Sequence, residues 1–274
     1  MRNNVVVIIP IYKERPNTEE QASIRQCFKI LGKHPIIIIS YKDLDLTTYE
    51  AIIGRKVSSK FFDKKYFKSV NSYSLLLKNC LFYKAFREYE YMLIYQLDAW
   101  VFKDELNYWC SKGYDYIGAP WFSGFSSYEE GGKLWMVGNG GFSLRRIKKF
   151  LTLTNKCKRL RPAKTVLSAD LHKRSLIKCI SLLLGWHNMI ATIYKSWLDV
   201  NEDYYFCGAF REFPNYQLKV PPLEEACLFS IERSPSYLYA LIGERLPFGC
   251  HAWTKYDTDF WKDKIEYEDI NNNG

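Results

Sequence analysis

The sequence predicts an α/β fold in one compact domain. Three observations carry it. The chain opens as strand, loop, helix, strand; a run of buried character, Tyr91 to Phe102, ends its apolar stretch on a lone acid; and 274 residues with 47% hydrophobic content can bury one sizeable core.

Val5 to Ile9 is a continuous β-branched run closed by Pro10, and from Pro16 to Leu31 apolar residues recur at helical spacing before Gly32. His34-Pro35 leads into Ile36 to Ser40, a second buried strand, so a βαβ unit with parallel strands opens the fold. Val57 to Phe62 reads as a third short strand and Ser72 to Tyr89 as one amphipathic helix. In YMLIYQLDAWVF, Met92 to Tyr95 reads as a strand buried on both faces, and ligands gather where such strands end. Asp98 stands at that end.

Asp104 to Ser111 is expected as a short helix, and Tyr114 to Trp121 as a brief strand turning through Gly118 and Pro120. Ser123 to Gly132, rich in Gly and Ser, reads as a mobile loop over the site. In KLWMVGNGGFSLRR the glycines around Asn139 allow close approach of backbone to a ligand, with strand-like Phe142 and Leu144 following. Ile147 to Leu153 continues as helix. Leu176 to Trp197 is too interrupted to span a bilayer; it reads as a core helix or as an element resting on lipid. Glu202 and Asp203 fall at a helix start, where the dipole favours negative charge, and FGCHAW sets His251 between a glycine turn and a tryptophan. The tail from 266 to 274 is polar and expected to fray.

Composition narrows the function classes. The balance of 39 Lys plus Arg against 30 Asp plus Glu gives +9, which favours an anionic partner, yet no nucleic-acid-binding signature accompanies it and no nucleic acid is expected. The first turn has neither GxGxxG nor GxxxxGKS, which speaks against a dinucleotide enzyme or a P-loop NTPase. Eight cysteines without CxxC pairs argue against a zinc site and a disulfide scaffold and fit a reducing cytoplasm. The N-terminal apolar stretch is too short for a signal peptide or a membrane span. A load of 21 Tyr, 17 Phe and 8 Trp suits either core packing or the lining of sugar and nucleotide sites.

The set QLDAW, YIGAPW, GNGGFSLR, NEDYYF and PFGCHAW is similar to domain-of-unknown-function family 5672, and the order of features resembles metal-dependent GT-A glycosyltransferases. The resemblance runs from Val5 to Trp253. It implies a single GT-A-like, Rossmann-like domain over residues 1–265, with a mixed central sheet flanked by helices, 1–120 as the nucleotide-binding half and 121–265 as the acceptor half. It implies a hexosyltransferase moving a sugar from a nucleotide diphosphate sugar, a UDP-sugar first, to a hydroxyl of a glycan or lipid-linked acceptor in polysaccharide assembly. The charge of +9 and the Leu176 to Trp197 segment together suggest docking to an anionic inner membrane face, with the cytoplasm as the setting.

In that family a DxD-like motif holds Mn2+ or Mg2+ against the diphosphate. Here Gln96 stands where the first acid would be, so Asp98 is the carboxylate ligand, and His251 matches a C-terminal histidine that fills a second position. Asp203, ahead of Glu202, matches the general base of an inverting transfer. Pro10 and Tyr12 would shape the nucleotide pocket with Gln96, Asp98 and Ala99; Trp135, Asn139, Gly140 and Gly141 would line donor sugar and acceptor. Arg145 or Arg146 would touch phosphate or stay solvated at the surface. Each role has a plainer counterpart: a turn-capping Asp98, a packed His251, an acidic pair that only caps its helix. A binding module that keeps the fold without catalysis is the alternative that Gln96 suggests.

Overall fold

The structure, a computed structural model, describes residues 4–156, 200–208 and 217–266. The opening βαβ unit consists of β1 (Val5–Pro10), α1 (Thr18–Leu31) and β2 (Ile36–Ser40). Asn17 caps α1 reciprocally with Glu20: its side chain accepts the Glu20 amide at 2.8 Å, and its own amide donates to the Glu20 carboxylate at 2.8 Å. Next come α2 (Thr47–Ile53), β3 (Ser58–Phe61), α3 (Val70–Leu77) and α4 (Cys80–Lys84). The single helix expected over Ser72 to Tyr89 is thus two, because Asn79 turns back to accept the Leu81 amide at 2.9 Å and starts a new helix.

The central apolar run is divided as well. β4 (Tyr91–Tyr95) stops, Gln96 to Asp98 turn, and β5 (Ala99–Val101) leaves for another sheet. The chain continues through α5 (Leu106–Ser111), β6 (Tyr116–Ile117), β7 (Pro120–Phe122), β8 (Leu134–Val137), β9 (Phe142–Arg146) and α6 (Ile147–Lys156). Beyond the next described residue come α7 (Glu202–Cys207), α8 (Leu223–Phe229), β10 (Ser230–Ile231), α9 (Pro235–Leu241), β11 (Gly249–His251) and α10 (Thr258–Lys262). Leu176 to Trp197 and the tail after Glu266 lie outside the described residues. Among the described residues no helix is long and apolar enough to cross a membrane.

The main sheet has the order β3-β2-β1-β4-β9-β6. Strands β3, β2, β1 and β4 run parallel, while β9 is antiparallel to β4 and to β6. The sheet is therefore mixed. Side chains of β1 and β4 alternate between its faces: Val5, Val7, Ile9, Leu93 and Tyr95 enter one core cluster, Val6, Ile8, Met92 and Ile94 the other. Helices α1, α2 and α5 cover the first face and α3, α4, α6 and α7 the second, so both faces are dry, as the uninterrupted apolar runs require. Each fully buried Val, Ile or Leu side chain contributes ~1.5–3 kcal/mol.

A second sheet, β10-β11-β5, carries the chain from β4 to the C-terminal region, with His251 opposite Ala99. The carboxyl ends of β1 and β4, the entry to β9 and the end of β11 therefore meet at one edge.

Candidate functional site

At that edge Asp98 and His251 come together. Nε2 of His251 lies 3.1 Å from Oδ1 of Asp98 and 3.2 Å from Oε1 of Gln96. The antiparallel pairing of β11 with β5 sets this distance, since His251 is in register with Ala99, the residue after Asp98. On the other side of the ring, Nδ1 faces Oε1 of Glu232 at 3.1 Å, with the side-chain amide of Asn139 3.2 Å away. Glu232, directly after β10, is a site residue that the sequence motifs did not single out.

Burial works against a charged imidazole at this position, but Asp98 and Glu232 outweigh it and push the His251 pKa up to about 10. Burial likewise opposes the charge on Asp98, yet His251 and then Lys255 hold its carboxyl below the usual range.

The glycine turn forms the roof. Its amides and carbonyls reach both ways: the Gly140 amide donates to Oδ2 of Asp203 at 2.9 Å, and the Gly141 carbonyl accepts the Gln96 amide at 2.9 Å. Asn139 sits at φ +61°, a left-handed conformation that Asn tolerates, and its side chain accepts the Gly141 amide at 3.2 Å. Gly138 lies flat on the indole of Trp121, where a Cβ would approach to 2.4 Å.

Behind the turn is a buried ion pair. Arg145 is fully buried and donates to Oε1 of Glu202 at 2.8 Å, while the Ser74 hydroxyl donates to Oε2 at 3.2 Å. This corrects one expectation. Arg145 is neither a phosphate contact nor a solvated surface residue, because β9 points it into the core against Tyr83, Ser143 and Glu202. Glu202 is turned into the core, where Arg145 and Ser74 bond to its two oxygens, while Asp203 faces the glycine turn. Arg146 bonds to the hydroxyl of Tyr91, at the opposite end of β4 from Asp98.

Asp203 remains. Its Oδ1 accepts the amide of Tyr204 at 2.7 Å. Burial, and then the neighbouring Glu202 charge, raise its pKa to about 7 against the opposing pull of its backbone hydrogen bonds and Arg145. A carboxylate poised there can accept a proton near neutral pH.

The other expected residues are distributed as follows. Pro10 closes β1 and Tyr12 follows it, exposed, at the same edge as Gln96. Ala99 is fully buried, its amide bonded to the Gln96 carbonyl and its carbonyl to Ser23. Trp135 stands partly exposed beside Phe125. The loop after Ser123 is not free: Ser123 and Lys133 bond across its base, and the Tyr128 amide donates to Ser234 at 3.0 Å.

The donor set fits a hard divalent cation. Two donors on adjacent positions of an octahedral ion are separated by ~3 Å, the spacing of Asp98 and Gln96 oxygens from Nε2 of His251. Glu232 holds the far nitrogen, as carboxylates behind ligand histidines do. Among the described residues no three His, Cys, Asp or Glu side chains converge on one point, since Glu232 lies behind the ring; the third ligand in reach is the Gln96 amide oxygen.

A sequence profile of DUF5672, described as a protein of unknown function, matches residues 56–251. No curated protein matches the sequence. Among solved structures, the galactosyltransferase LgtC in complex with donor and acceptor sugar analogs aligns over 97% of this chain and 98% of its own, with a TM-score of 0.51 at 10% identity. Mouse xyloside xylosyltransferase 1, apo form, aligns over 90% and 96%, with a TM-score of 0.49 at 12% identity. The Mn/GDP form of core-mannan synthase A from Aspergillus fumigatus covers 56% of this chain, which spans 63% of that enzyme, with a TM-score of 0.40 at 10% identity. The likeness to LgtC is one of fold, the GT-A type of glycosyltransferases.

Proposed function

This chain belongs to the DUF5672 family, and we propose that it is a divalent-metal-dependent glycosyltransferase that moves a sugar from a nucleotide diphosphate sugar to an acceptor hydroxyl with inversion. The observation that carries the reading is the meeting of Asp98, Gln96 and His251 at one end of the glycine turn with Asp203 hydrogen-bonded to the same turn.

Asp98, Gln96 and His251 would hold Mn2+ or Mg2+, and Glu232 would fix the imidazole tautomer that presents Nε2. When bound, the cation supplies positive charge against the diphosphate leaving group. Pro10 and Tyr12 border the nucleotide, and Trp135, Asn139, Gly140 and Gly141 border the sugar. Asp203 takes the proton of the acceptor hydroxyl as its oxygen bonds to the anomeric carbon and the bond to the nucleoside diphosphate breaks. Its pKa of about 7 matches that task. The halves at 1–120 and 121–265 then serve donor and acceptor.

A UDP-sugar is the leading donor and a glycan or lipid-linked glycan of polysaccharide assembly the acceptor. The net charge of +9 supports work at an anionic cytoplasmic membrane face, which flotation with anionic liposomes tests. The function itself is tested by screening nucleotide diphosphate sugars for Mn2+-dependent thermal stabilisation, followed by a transfer assay with and without EDTA. Stabilisation and transfer that vanish with EDTA and return with Mn2+ are expected. Stabilisation without turnover on any acceptor, or turnover indifferent to EDTA, would overturn it.

A further inference from the structure

Four aromatic rings sit beside the glycine turn, and two of them face solvent. Phe125 is the hub: its ring centroid lies 5.3 Å from Trp121, 5.8 Å from Trp135 and 5.5 Å from Tyr204. Yet Phe125 is 47% exposed and Trp135 37% exposed, so the cluster buries its back and shows its front. The two exposed rings meet at 82°, which makes an open corner with one flat wall and one edge.

Phe125 holds a left-handed backbone, φ +56°, unfavourable for an aromatic residue. Strain of this kind points to a task when the surroundings fix it. They do here: the Ser123 amide donates to the Lys133 carbonyl at 2.8 Å, the Gly132 amide to Ser127 at 2.9 Å, and Tyr128 stacks on Tyr237 at 3.7 Å. The corner is therefore built in advance and loses little freedom when covered.

Its position says what covers it. Trp121, the inner wall, carries Gly138; two residues on in the same turn, Gly140 holds Asp203; and Asp203 is followed by Tyr204, the outer wall. The aromatic cluster and Asp203 thus adjoin the same glycine turn, and the Asp203–Tyr204 step of the chain links them. The polar atoms of the cluster are two indole N–H groups and one phenol, so it suits a neutral pyranose, whose C–H face packs on an aromatic ring and whose hydroxyls reach the rim.

We propose that the corner formed by Phe125 and Trp135, backed by Trp121 and Tyr204, is an acceptor subsite that takes the apolar face of a neutral glycan. The assignment to the acceptor rests on the reading of Asp203 as the base; the assignment to a glycan rests on the rings alone.

The test uses the full chain and a panel of neutral oligosaccharides with gluco, galacto, manno and N-acetylglucosamine units, read by tryptophan fluorescence and calorimetry. Wild type is expected to bind at least one member, and Trp135→Ala and Phe125→Gly to bind it about tenfold more weakly or worse. Phe125→Gly relieves the left-handed strain but removes ring packing, so its urea midpoint is measured alongside to separate a loss of binding from a loss of folding. Absence of binding by wild type, or equal binding by both ring variants, overturns the proposal. So does binding of phosphatidylcholine vesicles, in place of glycan, that the ring variants lose. Nucleotide-sugar stabilisation is measured alongside: if it fails while ring-dependent glycan binding persists, the transferase reading falls and the glycan site stands.

Discussion

Gly141 and His251 are packed so closely that a Cβ on the glycine would fall 1.9 Å from Nε2 of the imidazole. The reason is space, since the same ring is held from behind by Glu232 and has no room to withdraw. Gly141→Ala is therefore expected to displace either the turn or His251, costing about 1–3 kcal/mol as overpacking does. Urea denaturation should show that loss, and Mn2+-dependent stabilisation by nucleotide sugar should disappear. A variant that keeps it would show that the turn, and not His251, gives way.

Asp98→Asn and Glu232→Gln separate the ligand from its support. The first removes the carboxylate in direct reach of a cation, and Mn2+ binding by calorimetry should be abolished. The second leaves all three donors in place but loosens the ring, and affinity should fall about 10–100-fold, the usual cost of losing such a partner. Equal affinity in wild type and Glu232→Gln would make the Glu232 contact incidental.

The pKa of Asp203 makes activity and stability run in opposite directions with pH. A base must be unprotonated, so kcat/KM should climb toward pH 7 and level above it, with Asp203→Asn lowering it about 10²–10⁴-fold. In the unfolded chain the same carboxyl gives up its proton near its ordinary value of 3.8, whereas the folded chain keeps it to about 7. The folded state binds more protons between these values, so this group's stabilisation is complete below pH ~4 and is lost as pH rises through 7, by at most ~4 kcal/mol. Asp203→Asn should melt at a higher temperature than wild type at pH 8, and the gap should close at pH 4. A gap that stays constant would mean that Asp203 is not held protonated.

The Arg145–Glu202 pair is a matter of folding more than chemistry. Arg145→Ala strands the Glu202 carboxylate in the core, a loss of about 3–5 kcal/mol, whereas a joint change to Met and Leu should recover much of it. Chemical denaturation of the single and double variants measures the difference. An equally large loss in the double variant would show that packing, not charge, dominates at this position.

Much of the fold was legible because its strands are unusually plain. Val5 to Ile9 and Ile36 to Ile39 have no polar residue, which happens when both faces are covered, and the structure places helices on both. The division of Ser72 to Tyr89 was harder to see, since Asn79 acts through a local hydrogen bond that periodicity does not register. Asp98 stood out as an acid after a buried run. Glu232 has the same signature in CLFSIE, but its run is short and shared between a helix and a two-residue strand, so the signal was weak. Arg145 was misjudged because a basic residue after a turn is usually solvated; only the distant Glu202 makes its burial tolerable.

One four-residue turn joins three parts of this site: Gly138 rests on the aromatic wall, Asn139 and Gly141 on the imidazole, Gly140 on the carboxylate of Asp203. Whatever occupies one end shifts a backbone that the other end also uses. The consequence is thermodynamic reciprocity: if donor occupancy changes acceptor affinity by some factor, the acceptor must change donor affinity by the same factor. Allosteric communication across this protein would then need no moving domain, only a few tenths of an ångström in a loop too tightly packed to move one end at a time.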